Sequence, residues 1–262
     1  MKKKRSRSGL CIVAFALTLA LTLALSAGAC AAGEEIKTPE EAQKAALEQI
    51  GIWKDMGLLN PDVCFEGDAD DIVEFEETVG GERWFGRLFT HGYDVRWYCN
   101  RSGSPKYGCN LRVDALTGTI TMATIDAVAD ENAEPVREMK MEYPVDPKNP
   151  EAEPETKTWY FYDNYTDIFP ADMTVDRFCT LLAEYWGFSG YTLAETNDAE
   201  YGTHFEPIDG STLLKDLNGD SRDNYYLTVF FDGDQESAPM YIELHQFPGY
   251  VSLTLGTGHA VG

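Results

Sequence analysis

The chain has 262 residues, 44% of them hydrophobic and 25% charged, which is ordinary for a folded protein and excludes wholesale disorder. Its 44 acidic residues against 21 basic ones give a net charge of −23, which excludes nucleic acid and anionic membrane surfaces as partners held by charge. Length alone suggests about two domains.

Residues 1–29 read as a secretory signal peptide. Met1 to Arg7 is a basic stretch carrying Lys2, Lys3, Lys4, Arg5 and Arg7, and Leu10 to Leu25 is an apolar run shorter than a bilayer-spanning helix needs. An uncleaved anchor helix is the competing reading. Ser26, Ala27, Gly28 and Ala29 follow, then Cys30. Ala27-Gly28-Ala29-Cys30 resembles a bacterial lipobox, although Ala27 stands where Leu is usual; lipid attachment at Cys30 competes with ordinary cleavage after Ala29. Without residues 1–29 and their five basic groups, the charge falls to −28. Residues 30–37 are then an N-terminal tether, and the rest is expected to lie outside the cytoplasmic membrane, on its outer face as a lipoprotein or secreted. The membrane would be reached only through the N-terminal lipid.

A first unit is expected over 38–128. Thr38-Pro39-Glu40-Glu41 opens a helix with a capping box and proline at the first helical position, and Gly51 is the expected stop. Asp68, Asp70, Asp71, Glu74, Glu76 and Glu77 form an acidic connection. It reads as a solvated edge, able to repel anionic polymers or to meet a basic partner. Four strands are expected next: Arg83–Thr90 and Tyr93–Asn100 around a His91-Gly92 turn, then Tyr107–Asp114 and Thr119–Ile125 around Ala115–Gly118. Tyr93, Val95, Trp97 and Cys99 alternate with polar residues, as do Cys109, Leu111 and Val113. Folding this hairpin about Ser104 pairs Trp97 with Leu111, Val95 with Val113 and Cys99 with Cys109. A cross-strand disulfide between Cys99 and Cys109 is then within reach, and two buried thiols are the alternative.

Residues 129–158 are rich in proline and acid and read as a linker, with an extra hairpin from Val136–Tyr143 and Thr158–Asp163 as the alternative. Residues 159–262 repeat the plan of the first unit: Thr174 caps a helix that Gly187 stops, and Tyr225–Asp232 and Met240–Gln246 are strands, with Gly249 in the last turn. The expected fold class is therefore α+β, two repeated units of one helix on a small antiparallel sheet.

Val113-Asp114-Ala115-Leu116-Thr117-Gly118-Thr119-Ile120 resembles the strand–turn–strand signature of the PepSY family. The resemblance covers Thr38 to about Ala127 and rests on Val113, Asp114, Ala115, Thr117 and Gly118, preceded by the capped helix. In the second unit Leu244-His245-Gln246-Phe247-Pro248-Gly249 keeps the glycine but neither the Asp nor the Thr, so that copy is divergent. The resemblance implies a noncatalytic module, of the kind found in propeptides of thermolysin-like peptidases and in exported bacterial proteins, that binds and restrains peptidases by protein contact.

One segment has the look of a metal loop. Asp216, Asn218, Asp220, Arg222 and Asn224 stand at positions 1, 3, 5, 7 and 9 of a calcium-binding pattern, the seventh through its backbone carbonyl. Ser221 replaces the turn glycine and Leu227 the closing Glu, and an Asn-Gly turn before a strand explains the composition as well. Calcium is the one cofactor the chain suggests. No Cys-x-x-Cys, paired-histidine or phosphate-loop spacing occurs. The expected function is a noncatalytic extracytoplasmic protein-binding module, with peptidase restraint as the specific case. A surface module that binds glycan or peptide through exposed aromatics is the alternative.

Overall fold

The fold follows from a computed structural model that describes residues 35–76, 83–84, 87–88, 91–100, 105–130, 132–143, 155–193, 197–198, 203–204, 208–218, 224–231 and 240–257. Helix α1 (Pro39–Asp55) begins as its cap dictates, with Thr38 Oγ1 accepting from Glu41 N at 3.2 Å. It does not stop at Gly51. Ala42, Ala46, Ile50 and Trp53 form its buried stripe, and the last of these can be buried only if the helix runs one turn further, to Met56. Helix α2 (Val175–Trp186) starts at Thr174, whose hydroxyl accepts from Arg177 N, and ends at Gly187 with φ +77°. Here both expected signals stand.

The strands are β1 (Asp71–Glu76), β2 (Arg83–Trp84), β3 (Arg87–Leu88), β4 (His91–Trp97), β5 (Tyr107–Asp114), β6 (Ile120–Val128), β7 (Arg137–Tyr143), β8 (Glu155–Phe161), β9 (Tyr191–Leu193), β10 (Asn197–Asp198), β11 (Thr203–His204), β12 (Asn224–Phe231), β13 (Met240–Phe247) and β14 (Tyr250–Thr257). Eight of them make one antiparallel sheet in the order β1-β4-β5-β6-β14-β13-β12-β9, while β2-β3, β7-β8 and β10-β11 are two-stranded ribbons.

This overturns the expected architecture. Among the described residues the chain is mostly β, with one large sheet and two helices, and it is not two repeated helix-on-sheet units. The ladder between β6 and β14 shows why: Val128 faces Tyr250 and Ala123 faces Leu255, so the strands that would have edged two small sheets pair with each other instead. Two unpaired rows of backbone donors and acceptors disappear at once. A single core results. Trp53 of α1 packs edge-on against Tyr185 of α2 with ring centroids 5.4 Å apart, and the Tyr185 hydroxyl accepts from Ile120 N and donates to Gln49 Oε1. After α1, Asn60 N donates to Ile168 O and the Asn60 side chain to Phe169 O, which ties the two halves together beside the sheet.

Four local expectations also change. His91 and Gly92 are not a turn but the first residues of β4, paired with Glu76 and Phe75. Their partner is the acidic segment, which is strand β1 and not a connection. The hairpin of β4 and β5 pairs Trp97 with Cys109, Val95 with Leu111 and Tyr93 with Val113, two residues from the expected register. Because side chains alternate with period two, the slip leaves every residue on its expected face. The stretch read as linker (129–158) is crossed by a ribbon in which residues 137–143 pair with 155–161, the last three of them beyond it, anchored where Gly249 N donates to Tyr160 O.

Candidate functional site

Strand β1 forms one border of the main sheet. Its helix-side residues are Ile72, Glu74 and Glu76, opposite Val95, Tyr93 and His91; Asp71, Val73 and Phe75 face the other way, opposite Arg96, Asp94 and Gly92. Ile72 packs against the core and supplies the apolar anchor. On the helix-free face, Arg96 Nη1 lies 3.3 Å from Asp71 Oδ2, and Arg96 Nε donates to Asn110 Oδ1. Arg112 holds Asp94 through two nitrogens, at 2.9 and 3.2 Å, and its guanidinium lies 4.5 Å from the centre of the Phe75 ring. Phe75 can lie flat there because Gly92 beneath it has no side chain: a Cβ at Gly92 would sit 2.7 Å from Phe75 Cζ and 2.4 Å from Val113 O.

At the other end of β1, His91 Nε2 is 2.8 Å from Glu74 Oε1, and its Nδ1 is 3.8 Å from Glu35 Oε1. Tyr93 lies beneath them, its phenol pKa raised by burial first and then by the charges of Glu74, Glu41 and Glu35. The site is thus a strand border under strongly negative potential, positioned by Arg96, Arg112 and His91 on β4 and β5.

The turn that carries the family resemblance packs directly behind it. Asp114 Oδ1 accepts from Leu116 N at 2.7 Å and from Thr117 N at 3.3 Å, Gly118 N donates to Asp114 O, and Gly118 has φ +68°. Val113 and Ala115 are buried. Ala115 N donates to His91 O and Ile36 N to Ala115 O, so the turn pins the start of β4 and the N-terminal tether to one point. Its role here is to hold backbone. Asp114→Ala removes both side-chain bonds and is expected to cost about 1–2 kcal/mol, read from the urea midpoint. An unchanged midpoint would show that the turn closes without them.

The other predicted site residues fare differently. Cys64, Cys99, Cys109 and Cys179 are all thiols. No disulfide joins Cys99 to Cys109, because the shifted register sets Trp97 opposite Cys109. Burial pushes the Cys109 and Cys179 thiols well up. In native protein at neutral pH, a maleimide is expected to label exposed Cys64 quickly and Cys109 and Cys179 only after unfolding. Nonreducing denatured protein in which Cys99 and Cys109 refuse label would restore the disulfide.

Cys30 lies outside the described residues. So do Asp220 and Arg222 and the side chains of Asn218 and Asn224. Asp216 is exposed on a 3-10 turn, Leu214–Asn218, where its charge adds to burial in raising the pKa of Asp163. Among the described residues no group of three or more His, Cys, Asp or Glu side chains is placed to hold a metal, and no helix is long and apolar enough to cross a membrane.

Sequence reasoning missed one constellation on the helix-free face. His245 pairs across the ladder with Ser252, Ser252 with Asp126, and His245 Nε2 lies 2.8 Å from Glu243 Oε2. Residue types suited to acyl transfer meet here, brought together from three strands. Ser252 is only 2% exposed, however, and the strands on both sides use the backbone N–H groups that an oxyanion would need. The set suits a hydrogen-bonded sheet surface better than a nucleophile. The period-two spacing of Glu243 and His245 was the one signal available in the sequence.

No family model matches the chain, and neither a characterised protein nor a solved structure is significantly similar to it.

Proposed function

We propose that this protein is a noncatalytic binding module of the cell envelope that holds a protein or peptide partner by adding a strand to its main sheet, with restraint of a peptidase as the specific case. The observation that carries this reading is that the sheet is open. It ends at β1 on one side and β9 on the other, with no described strand beyond either. A border strand offers unsatisfied backbone donors and acceptors, which pair with an extended segment of almost any sequence. The PepSY-like turn, seated behind β1, supports the peptidase case through resemblance alone. Export, with lipid attachment at Cys30, supplies the compartment.

The test is hydrogen exchange on the mature chain while it holds partners captured from the envelope. Slowed exchange at 71–76 or 191–193 is expected. Unchanged exchange at both borders with a partner bound would overturn strand addition. Mass spectrometry of the mature N-terminus is expected to show a lipidated Cys30; an unmodified Cys30 or a later start would remove the tether.

A second reading, glycan binding, draws on Phe247, which is exposed at the Gly249 turn and stacks on Tyr250 with centroids 4.8 Å apart. Glycan-array binding lost in Phe247→Ala, with no protein captured, would favour it.

A further inference from the structure

Resting on the strand-addition reading, we infer that β1 is the receiving border and that its partner is a basic, extended segment alternating cationic and apolar residues. Of the two borders, β1 has six residues and β9 three, and β9 is tied to α2 where Tyr191 bonds Asp176. Six residues of strand span about 20 Å, enough for a ladder with a defined register. On β1 Val73 and Glu74 are exposed, the Glu74 side chain to 62%.

Charge selects the occupant. Between Lys54 and Arg83 the chain holds ten carboxylates and no basic residue. Among the described residues, the basic groups set against β1 are Arg96, on Asp71, Arg112, over the Phe75 ring, and His91, on Glu74. All three come from β4 and β5, on the sheet side of the strand. A second copy of this chain would bring the same acidic border and be repelled, which is how an exposed edge avoids self-association. A segment of opposite charge meets no such barrier, and opposite charges set directly across a ladder contribute about 0.2–1 kcal/mol per pair.

The two faces of β1 give the pattern. Glu74 and Glu76 lie on the helix side, where lysine or arginine of the incoming strand would face them. Val73 lies exposed on the opposite side, where an apolar residue would cover it.

The experiment uses the full mature chain and three labelled peptides: alternating Lys-Val, alternating Glu-Val, and a Lys-Val peptide N-methylated at every second residue. That last peptide keeps the charge but loses the donors along one edge. The Lys-Val peptide is expected to bind, weakening severalfold as salt rises from low to physiological strength. The Glu-Val peptide is expected not to bind, and the N-methylated one to bind at least tenfold more weakly. Glu74→Lys with Glu76→Lys should also cost about tenfold, with the melting temperature read alongside to confirm folding. Thr192→Pro in β9 should change nothing. Equal binding of the N-methylated peptide would reduce the effect to unspecific charge attraction and overturn the inference. Binding lost in Thr192→Pro but not in the β1 variant would move the site to β9, sinking the assignment to β1 while leaving strand addition standing. Binding of Glu-Val as strong as Lys-Val would remove the charge argument.

Discussion

Truncating Trp53 to alanine is expected to destabilise the protein by about 3–5 kcal/mol, a large share of what a domain of this kind possesses. The ring is fully buried between α1 and α2, edge-on to Tyr185, and the Trp53 carbonyl accepts from Leu58 N, which turns the chain out of the helix. Tyr185 in turn satisfies Ile120 N at the start of β6. A cavity at Trp53 is therefore felt in both helices and in the middle of the sheet. Because both halves share this core, urea is expected to unfold wild type and variant in a single transition, the variant at a markedly lower midpoint. Two separate transitions, or a loss below about 1 kcal/mol, would contradict the single core.

Gly92→Ala is the second large effect, and its sign is informative. Elsewhere in a chain, replacing glycine by alanine at a compatible position stabilises by about 0.4–1 kcal/mol, because the unfolded chain loses freedom. At Gly92 the new Cβ would lie 2.4 Å from a backbone oxygen, Val113 O, which cannot rotate away, and 2.7 Å from Phe75 Cζ. A cost of about 1–3 kcal/mol is expected, the range typical of overpacking. The damage should be local: Phe75 lifts, Arg112 loses its ring contact, and β1 separates from β4. Hydrogen exchange is the measurement, with accelerated exchange expected at 71–76 and little change across β13 and β14. A stabilised variant, or uniform acceleration, would show that β1 is not held through Gly92. The same variant should lose the basic peptide without any change of charge.

Features written in short stretches of chain were legible. Thr38, Thr174 and Gly187 act through bonds that span four residues or fewer, and so does the Asp114–Gly118 turn. The alternation of β4 and β5 placed Tyr93, Val95, Trp97, Leu111 and Val113 on the buried face even though the register slipped by two. The acidic segment was not legible as a strand. At a sheet border only Ile72 must be apolar, and the remaining positions tolerate carboxylates because water still reaches them. Nor could the sequence place Asp126 beside Ser252 and His245, since the ladder between β6 and β14 joins residues more than a hundred positions apart.

Taken by itself, the amino-acid order determined the caps, the closing turn and the face each strand turns inward, since these depend on neighbours along the chain and on a period of two. Tertiary structure alone decided that α1 would run past Gly51, that the acidic run would border a sheet, and that β6 would pair with β14 to make one sheet in place of two. In each case the deciding term is burial against a distant partner: Trp53 against Tyr185, Ile72 against the core, and the backbone groups of β6 against those of β14. Such gains exist only once the whole chain has closed, and no window of sequence contains both sides of the contact.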